Sequence, residues 1–147
     1  MYIEQEKYNE ILRLTPIVCV DVCILQDNKI LLARRNNEPW INQWCVIGGR
    51  VRKNEKLHNA VYRKIREETG LECFIKEIVN VEDTIFDTGV NGIQTHTVNI
   101  CYKAIPVHNN QEVKLNSDHS EYNWFTKEDI KPLKLYQYVL NCINKAL

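Results

Sequence analysis

The sequence has no excess charge of either sign and no long apolar run. Its 19 Lys and Arg residues balance 19 Asp and Glu residues, so we expect no broad basic surface for nucleic acid. No stretch approaches the ~20 apolar residues that a membrane-spanning helix needs, and we expect no signal peptide. These absences favour a cytoplasmic protein that binds a small anionic molecule, with neither nucleic acid nor a membrane as partner.

The sequence also contains no Cys-x-x-Cys pair. The six cysteines lie mostly within apolar runs, where cysteine behaves as a small hydrophobic residue. Reduced core residues are therefore favoured over disulfide bonds or zinc ligands. The cysteines are Cys19, Cys23, Cys45, Cys73, Cys101 and Cys142.

The 147 residues predict a single domain, 1–147, that is long enough to bury a real core. Runs rich in Val and Ile indicate strands, and amphipathic segments indicate helices. Strands with one long central helix and a terminal helix argue for an α/β/α sandwich with a mixed sheet. Besides the central helix, the predicted elements are helices at 4–13 and 133–147 and strands at 17–25, 30–35, 44–47, 72–86, 93–105 and 122–125.

Charged residues interrupt the first two predicted strands. Asp21 lies in an apolar strand, where a carboxylate needs a partner or a ligand; an edge position that faces water is the alternative. Arg34 and Arg35 are adjacent on the next strand and point to opposite faces, so only one of them can enter a site on the sheet.

The segment 49–71 contains the central helix and the strongest functional signal. Asn54 is the expected N-cap, and Gly70 supplies a left-handed residue that ends the helix. Glu67 and Glu68 lie in the last turn, at the negative end of the helix dipole, where cations are preferred. A bound divalent cation would reverse that preference, and oxygen ligands favour Mg²⁺ or Mn²⁺ over zinc. The buried stripe of this helix is Leu57, Val61 and Ile65.

This segment resembles the signature of the Nudix hydrolases, which include the MutT-like proteins. The signature reads Gly-x5-Glu-x7-Arg-Glu-U-x-Glu-Glu-x-Gly-U, where U is apolar. The resemblance implies the α/β/α sandwich with the signature helix at its centre, and it gives Gly49, Glu55, Arg63 and Gly70 structural roles. The matching residues are Gly49, Glu55, Arg63, Ile65, Glu67, Glu68, Gly70 and Leu71.

One position departs from the signature. Lys64 replaces the first helical glutamate and projects between Glu67 and Glu68 at i+3 and i+4. The substitution places a positive charge beside the expected metal face and removes the carboxylate that many relatives use to activate water. We therefore expect weaker metal binding, fewer ions and a proton acceptor from elsewhere in the chain.

Within the family, the chain resembles the GDP-mannose mannosyl hydrolases from about residue 15 to 125. That subfamily also lacks the first helical glutamate. The resemblance implies a Mg²⁺-dependent reaction on a nucleotide sugar, in which water displaces the nucleoside diphosphate from sugar C1, and a homodimer that packs helix 4–13 on the partner. It is carried by Thr15-Pro16, Asp21, Leu31-Leu32, Arg35, Asn37, Pro39, Trp44, Gly48 to Val51, Thr95-His96, His119, Tyr122 and Trp124.

The resemblance also assigns roles to individual residues. His119, expected in a loop, matches the general base, and a neutral imidazole suits that role. Arg35 and Arg50 match the arginines that hold the leaving diphosphate, and Glu68 matches the principal metal ligand. In the resemblance, the Gly48 carbonyl is a second metal ligand and Asp21 contacts the sugar.

Three further residues belong to the expected site, and two of them have alternative roles. Glu67 either shares the metal or only pairs with Arg63, four residues earlier. Asp118 replaces the glutamine expected beside the metal and restores one negative charge there. His96 either lines the substrate site or simply packs.

Two other functions remain open. A Nudix pyrophosphatase that attacks phosphorus in a nucleotide sugar or nucleoside triphosphate would use both Glu67 and Glu68. A catalytically weak nucleotide-sugar-binding module would follow from the damage that Lys64 does to the usual site.

Overall fold

The computed structural model describes residues 2–147 and confirms the predicted α/β/α sandwich with a mixed sheet. Among these residues no helix is long and apolar enough to cross a membrane. The helices are α1 (Gln5–Leu14), α2 (Leu57–Thr69), α3 (Lys127–Ile130) and α4 (Gln137–Ala146), with a 3₁₀ turn at Val90–Gly92. The strands are β1 (Ile17–Gln26), β2 (Lys29–Arg35), β3 (Trp44–Cys45), β4 (Ile47–Arg50), β5 (Cys73–Phe86), β6 (Thr95–Pro106) and β7 (His119–Phe125).

Strand β1 lies at the centre of the sheet, with β6 on one edge and β4 and β2 on the other. On one edge it runs parallel to β6 from Ile17 to Ile24. On the other edge, residues 19–22 pair with β4 and residues 25–26 pair with β2, both antiparallel. Strands β4 and β2 therefore diverge from β1 and form a fork beside Asp21, which is paired with Gly48.

The core has two halves because side chains alternate across β1. Val22 and Ile24 belong to the cluster that packs against α2, whereas Cys23 belongs to the cluster that packs against α4. Asp21 and Cys23 are two residues apart and face the same side. The α4 face of the sheet therefore carries the carboxylate of the fork. The six cysteines are free, and all except Cys19 are buried.

Three expectations about the elements were wrong. Asn54 is not the helix N-cap, because it has φ +63° in the loop and Lys56 precedes the first residue of α2. His119 is not in a loop but begins β7, where it is buried. The closing helix begins at Gln137 rather than at residue 133, since Thr126 caps the separate short helix α3.

Candidate functional site

Arg63 ties the loop between β4 and α2 to the helix. Its Nε donates to Glu55 Oε2 at 2.7 Å, and its second terminal nitrogen donates to Glu55 Oε1 at 2.9 Å and to the Arg50 carbonyl at 3.0 Å. This two-point contact lowers the pKa of the Glu55 carboxyl to about 2. The contacts hold the loop between β4 and α2 against the helix.

Replacing Glu55 by Gln is expected to lower the free energy of unfolding by about 2 kcal/mol at neutral pH, because the change removes the charge from hydrogen bonds to Arg63. The folded pKa lies below the ordinary value of 4.5, so the stabilising effect is present above pH ~4.5 and is lost as the pH falls towards about 2. Urea unfolding of both proteins across this range measures the difference.

Glu121→Gln is the matched control, because Glu121 pairs with Arg34 at 2.9 Å while both side chains are well exposed. Such surface pairs contribute about 0–1 kcal/mol. If the difference in the free energy of unfolding between Glu55→Gln and wild type persisted unchanged down to pH 2, the charged Glu55–Arg63 contact would not be its source.

Glu68 and Lys64 form a nearly buried ion pair on the face of α2 that meets β4. The Lys64 Nζ lies 3.1 Å from Glu68 Oε1, with only 12% of the lysine side chain exposed. The other carboxylate oxygen accepts the Gly48 amide at 3.2 Å. Burial raises the pKa of Glu68 to about 7, although Lys64 opposes this shift. The lysine lies where the sequence placed it, and it neutralises the buried glutamate.

Glu67 lies at the rim of the same helix end, with 41% of its side chain exposed. It lies 3.3 Å from Arg63, 3.6 Å from Arg52 and 3.8 Å from Lys64. The predicted pairing of Glu67 with Arg63 is therefore present. Three cations surround this carboxylate.

Asp21 is held at the fork by two donors. The Tyr138 hydroxyl donates to Asp21 Oδ2 at 2.6 Å, and the Asn99 side-chain amide donates to the same oxygen at 2.8 Å. Burial raises the pKa of Asp21, and these two hydrogen bonds oppose the shift. Of the two alternatives for Asp21, the structure shows the buried position with partners.

A cavity of about 120 Å³ opens beside Asp21 on the α4 side of the sheet. Its polar wall combines Asp21 with Arg35, whose Nε donates to the Pro39 carbonyl at 2.8 Å. Its aromatic wall contains Trp40 and Phe86, whose rings meet edge to face at 5.0 Å. The remaining lining residues are Cys19, Pro39, Cys45, Gly48, Gly49, Thr84, Thr97, Asn99 and Tyr138.

His119 is brought to this region by pairing of β7 with β2, which places it opposite Arg35. Its imidazole is buried, and within residues 2–147 its Nδ1 has no hydrogen-bond partner. Burial and the positive charges of Arg35 and Lys64 lower the pKa of His119 to about 4. The imidazole is therefore neutral at neutral pH, with an unbonded ring nitrogen.

Asp118 precedes His119 and is fixed by two asparagines. The Asn37 amide donates to one carboxylate oxygen at 2.9 Å, and the Asn116 amide donates to the other at 3.3 Å. The negative charge of Asp118 is close enough to contribute to the raised pKa of Glu68. Asp118 and Glu68 therefore belong to one electrostatic neighbourhood.

Arg50 and His96 lie away from the cavity lining. The Arg50 guanidinium lies over the Tyr8 ring at 5.4 Å, at the end of the site nearest α1. His96 Nε2 lies 2.9 Å from Asp83 Oδ2 and lines a separate open cleft with residues 12–16 and 92–94. Alternation along β6 turns His96 to the face opposite Thr97. The structure thus separates His96 from the other predicted site residues.

Comparisons with known proteins identify the family to which the chain belongs. The NUDIX domain family model matches residues 15–143. The chain belongs to the Nudix family. It is 32% identical over 125 residues to the low-salt glycan biosynthesis protein Agl8 of Haloferax volcanii, covering 84% of this chain and 79% of that protein. It is 30% identical over 135 residues to the nucleoside triphosphatase NudI of Escherichia coli, covering 88% and 91%.

Among solved structures, a MutT NUDIX hydrolase from Burkholderia pseudomallei superposes with a TM-score of 0.74 at 28% sequence identity. The match covers 90% of this chain and 99% of that one. The fold, the family model and these relatives agree that the chain is a Nudix hydrolase.

Nudix hydrolases generally use divalent metal ions, and the site offers oxygen donors suited to one. Mg²⁺ commonly binds to one or two carboxylates, waters and substrate phosphates rather than to an all-protein cage. Glu68 and the Gly48 backbone fit such a site, with Asp118 and Glu67 nearby. Within residues 2–147, no group of three or more His, Cys, Asp or Glu side chains converges on one point. An ion bound to Glu68 would share this carboxylate with Lys64.

Three site residues were missed by the sequence analysis. Tyr138 lies in a helix whose apolar pattern predicts only packing, and the sequence alone does not place that helix against β1. Asn99 gave a weak signal, as a polar residue in the alternating segment of β6. Trp40 follows Pro39 in a loop, and its sequence context favours a core or interface position; its ring packs against the core cluster, stacks on Tyr136 at 4.1 Å and also lines the cavity.

Proposed function

We propose that this Nudix hydrolase cleaves a nucleoside diphosphate sugar, GDP-mannose-like, by attack of water on sugar C1, with Mg²⁺ or Mn²⁺ as cofactor. The observation that carries the proposal concerns two residues: Lys64 removes the usual proton acceptor from the helix, and His119 can replace it. The usual glutamate is replaced by Lys64, which pairs with Glu68, while the buried His119 is paired with Arg35 in the sheet and its Nδ1 makes no hydrogen bond within residues 2–147.

His119 supplies the proton acceptor that the helix lacks. A general base must be unprotonated at working pH and must have a free lone pair. The buried imidazole meets the first condition, since its pKa is lowered to about 4. One of the two ring nitrogens of a neutral imidazole carries a lone pair, and Nδ1 makes no hydrogen bond within residues 2–147. Glu68 is not available as the base, because its charge is paired with Lys64 and its carboxylate is the proposed ligand of the divalent ion.

The cations of the site match a diphosphate leaving group. Arg35 lines the cavity, and the Arg50 guanidinium lies outside the lining, over the Tyr8 ring of α1. A guanidinium meets phosphate oxygens in pairs. Glu68 and the Gly48 carbonyl would hold the divalent ion, with Asp118 beside them, and Asp21 would contact the sugar. When bound, the ion neutralises charge that develops on the diphosphate as it leaves.

Replacing Lys64 by Met is expected to tighten Mn²⁺ binding at least about 10-fold, because an ammonium 3.1 Å from Glu68 competes directly with the ion. Isothermal titration calorimetry with MnCl₂ measures the affinity without substrate. Lys53→Met is the control, since Lys53 is exposed in the loop before α2. Equal Mn²⁺ affinity in wild type and Lys64→Met would refute this role of Lys64.

A Nudix pyrophosphatase is the second candidate. It is favoured by the presence of Glu67 beside Glu68 and by the similarity to a nucleoside triphosphatase. Nudix proteins bind small-molecule nucleotide substrates, so a panel of nucleotide sugars and nucleoside triphosphates with Mg²⁺ tests both candidates. The first proposal predicts nucleoside diphosphate and free sugar, whereas the second predicts nucleoside monophosphate as a product.

We also propose a homodimer that involves α1 and a cytoplasmic location. Leu14 is 71% exposed at the end of α1, and Val81 and Ile85 are about as exposed on the neighbouring edge strand; a second copy would cover such apolar surface. The six free cysteines suit a reducing compartment. Sedimentation velocity tests the dimer, and a monomer at micromolar concentration would contradict it.

A further inference from the structure

The carboxylate of Asp21 is held from one side only. Both of its donors, the Tyr138 hydroxyl and the Asn99 amide, bond to Oδ2. Within residues 2–147, Oδ1 accepts no side-chain hydrogen bond, and it is not among the fully buried unpartnered atoms. Oδ1 lies against the Cα of Gly48 at the cavity wall, so it is open to a ligand in the cavity.

Tyr138 reaches Asp21 from another layer of the fold. It belongs to α4, and its side chain is 5% exposed within the cluster that packs on the sheet. A carboxylate with a single donor can rotate about its last bond. Two donors on one oxygen fix the plane of the carboxylate and hold Oδ1 beside Gly48 at the cavity wall.

We propose that Tyr138 is a positioning residue that sets sugar specificity by fixing Asp21, so that Oδ1 accepts a hydrogen bond from one sugar hydroxyl. The inference rests on the proposed function, because it assumes that a sugar occupies the cavity. The aromatic wall of Trp40 and Phe86 faces the cavity from another side. A sugar ring presents apolar C–H groups to such a wall and hydroxyls to a carboxylate.

The test compares Tyr138→Phe with Tyr136→Phe. Tyr136 stacks on Trp40 at 4.1 Å, and its hydroxyl forms no hydrogen bond within residues 2–147, so its replacement keeps the aromatic wall. The substrates are GDP-mannose and its 2-, 3-, 4- and 6-deoxy analogues. Wild type is expected to lose about 100-fold or more in kcat/KM with one analogue, since a site built to bond a hydroxyl rejects its absence.

Tyr138→Phe is expected to lower kcat/KM about 30-fold on GDP-mannose while leaving the rate on that one analogue unchanged, so that the penalty for the analogue falls to about 3-fold and the other penalties stay as in wild type. Tyr136→Phe should stay within about 2-fold of wild type throughout. Affinity for GDP, which lacks the sugar, should be the same in all three proteins. A purely structural role of Tyr138 would lower the rate with every analogue by the same factor.

Asn99→Ala removes the other donor and keeps the test decisive if Tyr138→Phe does not fold. It is expected to reduce the same analogue's penalty. If wild type hydrolyses GDP-mannose but neither variant changes the analogue profile, the positioning role is overturned and the proposed function stands. If wild type hydrolyses no nucleotide sugar, the proposed function fails and this inference fails with it.

Discussion

Replacing His119 by Ala should lower kcat on a nucleotide sugar by about 10²–10⁴-fold, the range by which a positioned general base accelerates a reaction. The imidazole is the one side chain near Arg35 that is neutral, buried and unpartnered at a ring nitrogen among residues 2–147. KM should change little, because the base acts on water rather than on the substrate. Steady-state kinetics at saturating Mg²⁺ measure both constants.

His108→Ala is the matched control, because His108 is exposed in the loop after β6 and its removal should leave kcat within about 2-fold. Thermal unfolding of both variants checks that the buried site remains folded. A His119→Ala protein that is folded and retains more than about a tenth of wild-type kcat would assign the base to another residue. That result would favour the pyrophosphatase.

Replacing Gly48 by Ala should destabilise the protein by about 3 kcal/mol or more and abolish most activity. A Cβ at this position would overlap Asp21 Oδ1 and lie 2.5 Å from the Val20 carbonyl oxygen. Both neighbours are fixed in the strand pair of β4 and β1, so the backbone itself must shift. For a protein of this size, the loss corresponds to a Tm about 10 °C lower.

Gly49→Ala is the neighbouring control. Its Cβ would meet only the end of the Lys64 side chain, with Cε at 2.7 Å, and a flexible side chain can move away. The cost should therefore stay below about 1 kcal/mol. Differential scanning calorimetry compares the two variants. Equal Tm values for Gly48→Ala and Gly49→Ala would show that the fork at Asp21 is looser than its geometry indicates.

Local sequence patterns were sufficient to predict the signature helix and its contacts. Lys64 and Glu68 are four residues apart, so helical geometry alone brings them together. Arg63 also reaches Glu55 across a short loop, whereas the resemblance to the family implied only a structural role for each of these residues. The mixed sheet and flanking helices follow from the order of strands and helices, and the structure confirms them.

Contacts between distant segments could not be predicted in this way. Tyr138 bonds to Asp21 across 117 positions in the chain, and its helix shows only the apolar periodicity that packing requires. Asn54 was misassigned because Asn suits both an N-cap and a left-handed turn. His96 was grouped with the site by resemblance, although strand alternation directs it to the opposite face of β6.

In the proposed reaction, water attacks sugar C1 rather than phosphorus. The most direct test is hydrolysis of GDP-mannose by the wild-type protein with Mg²⁺ in ¹⁸O-labelled water, followed by mass spectrometry of the products. The account predicts unlabelled GDP and mannose that carries one ¹⁸O at C1. Label in a phosphate group, with GMP and mannose 1-phosphate as products, would contradict it and assign the protein to the pyrophosphatases.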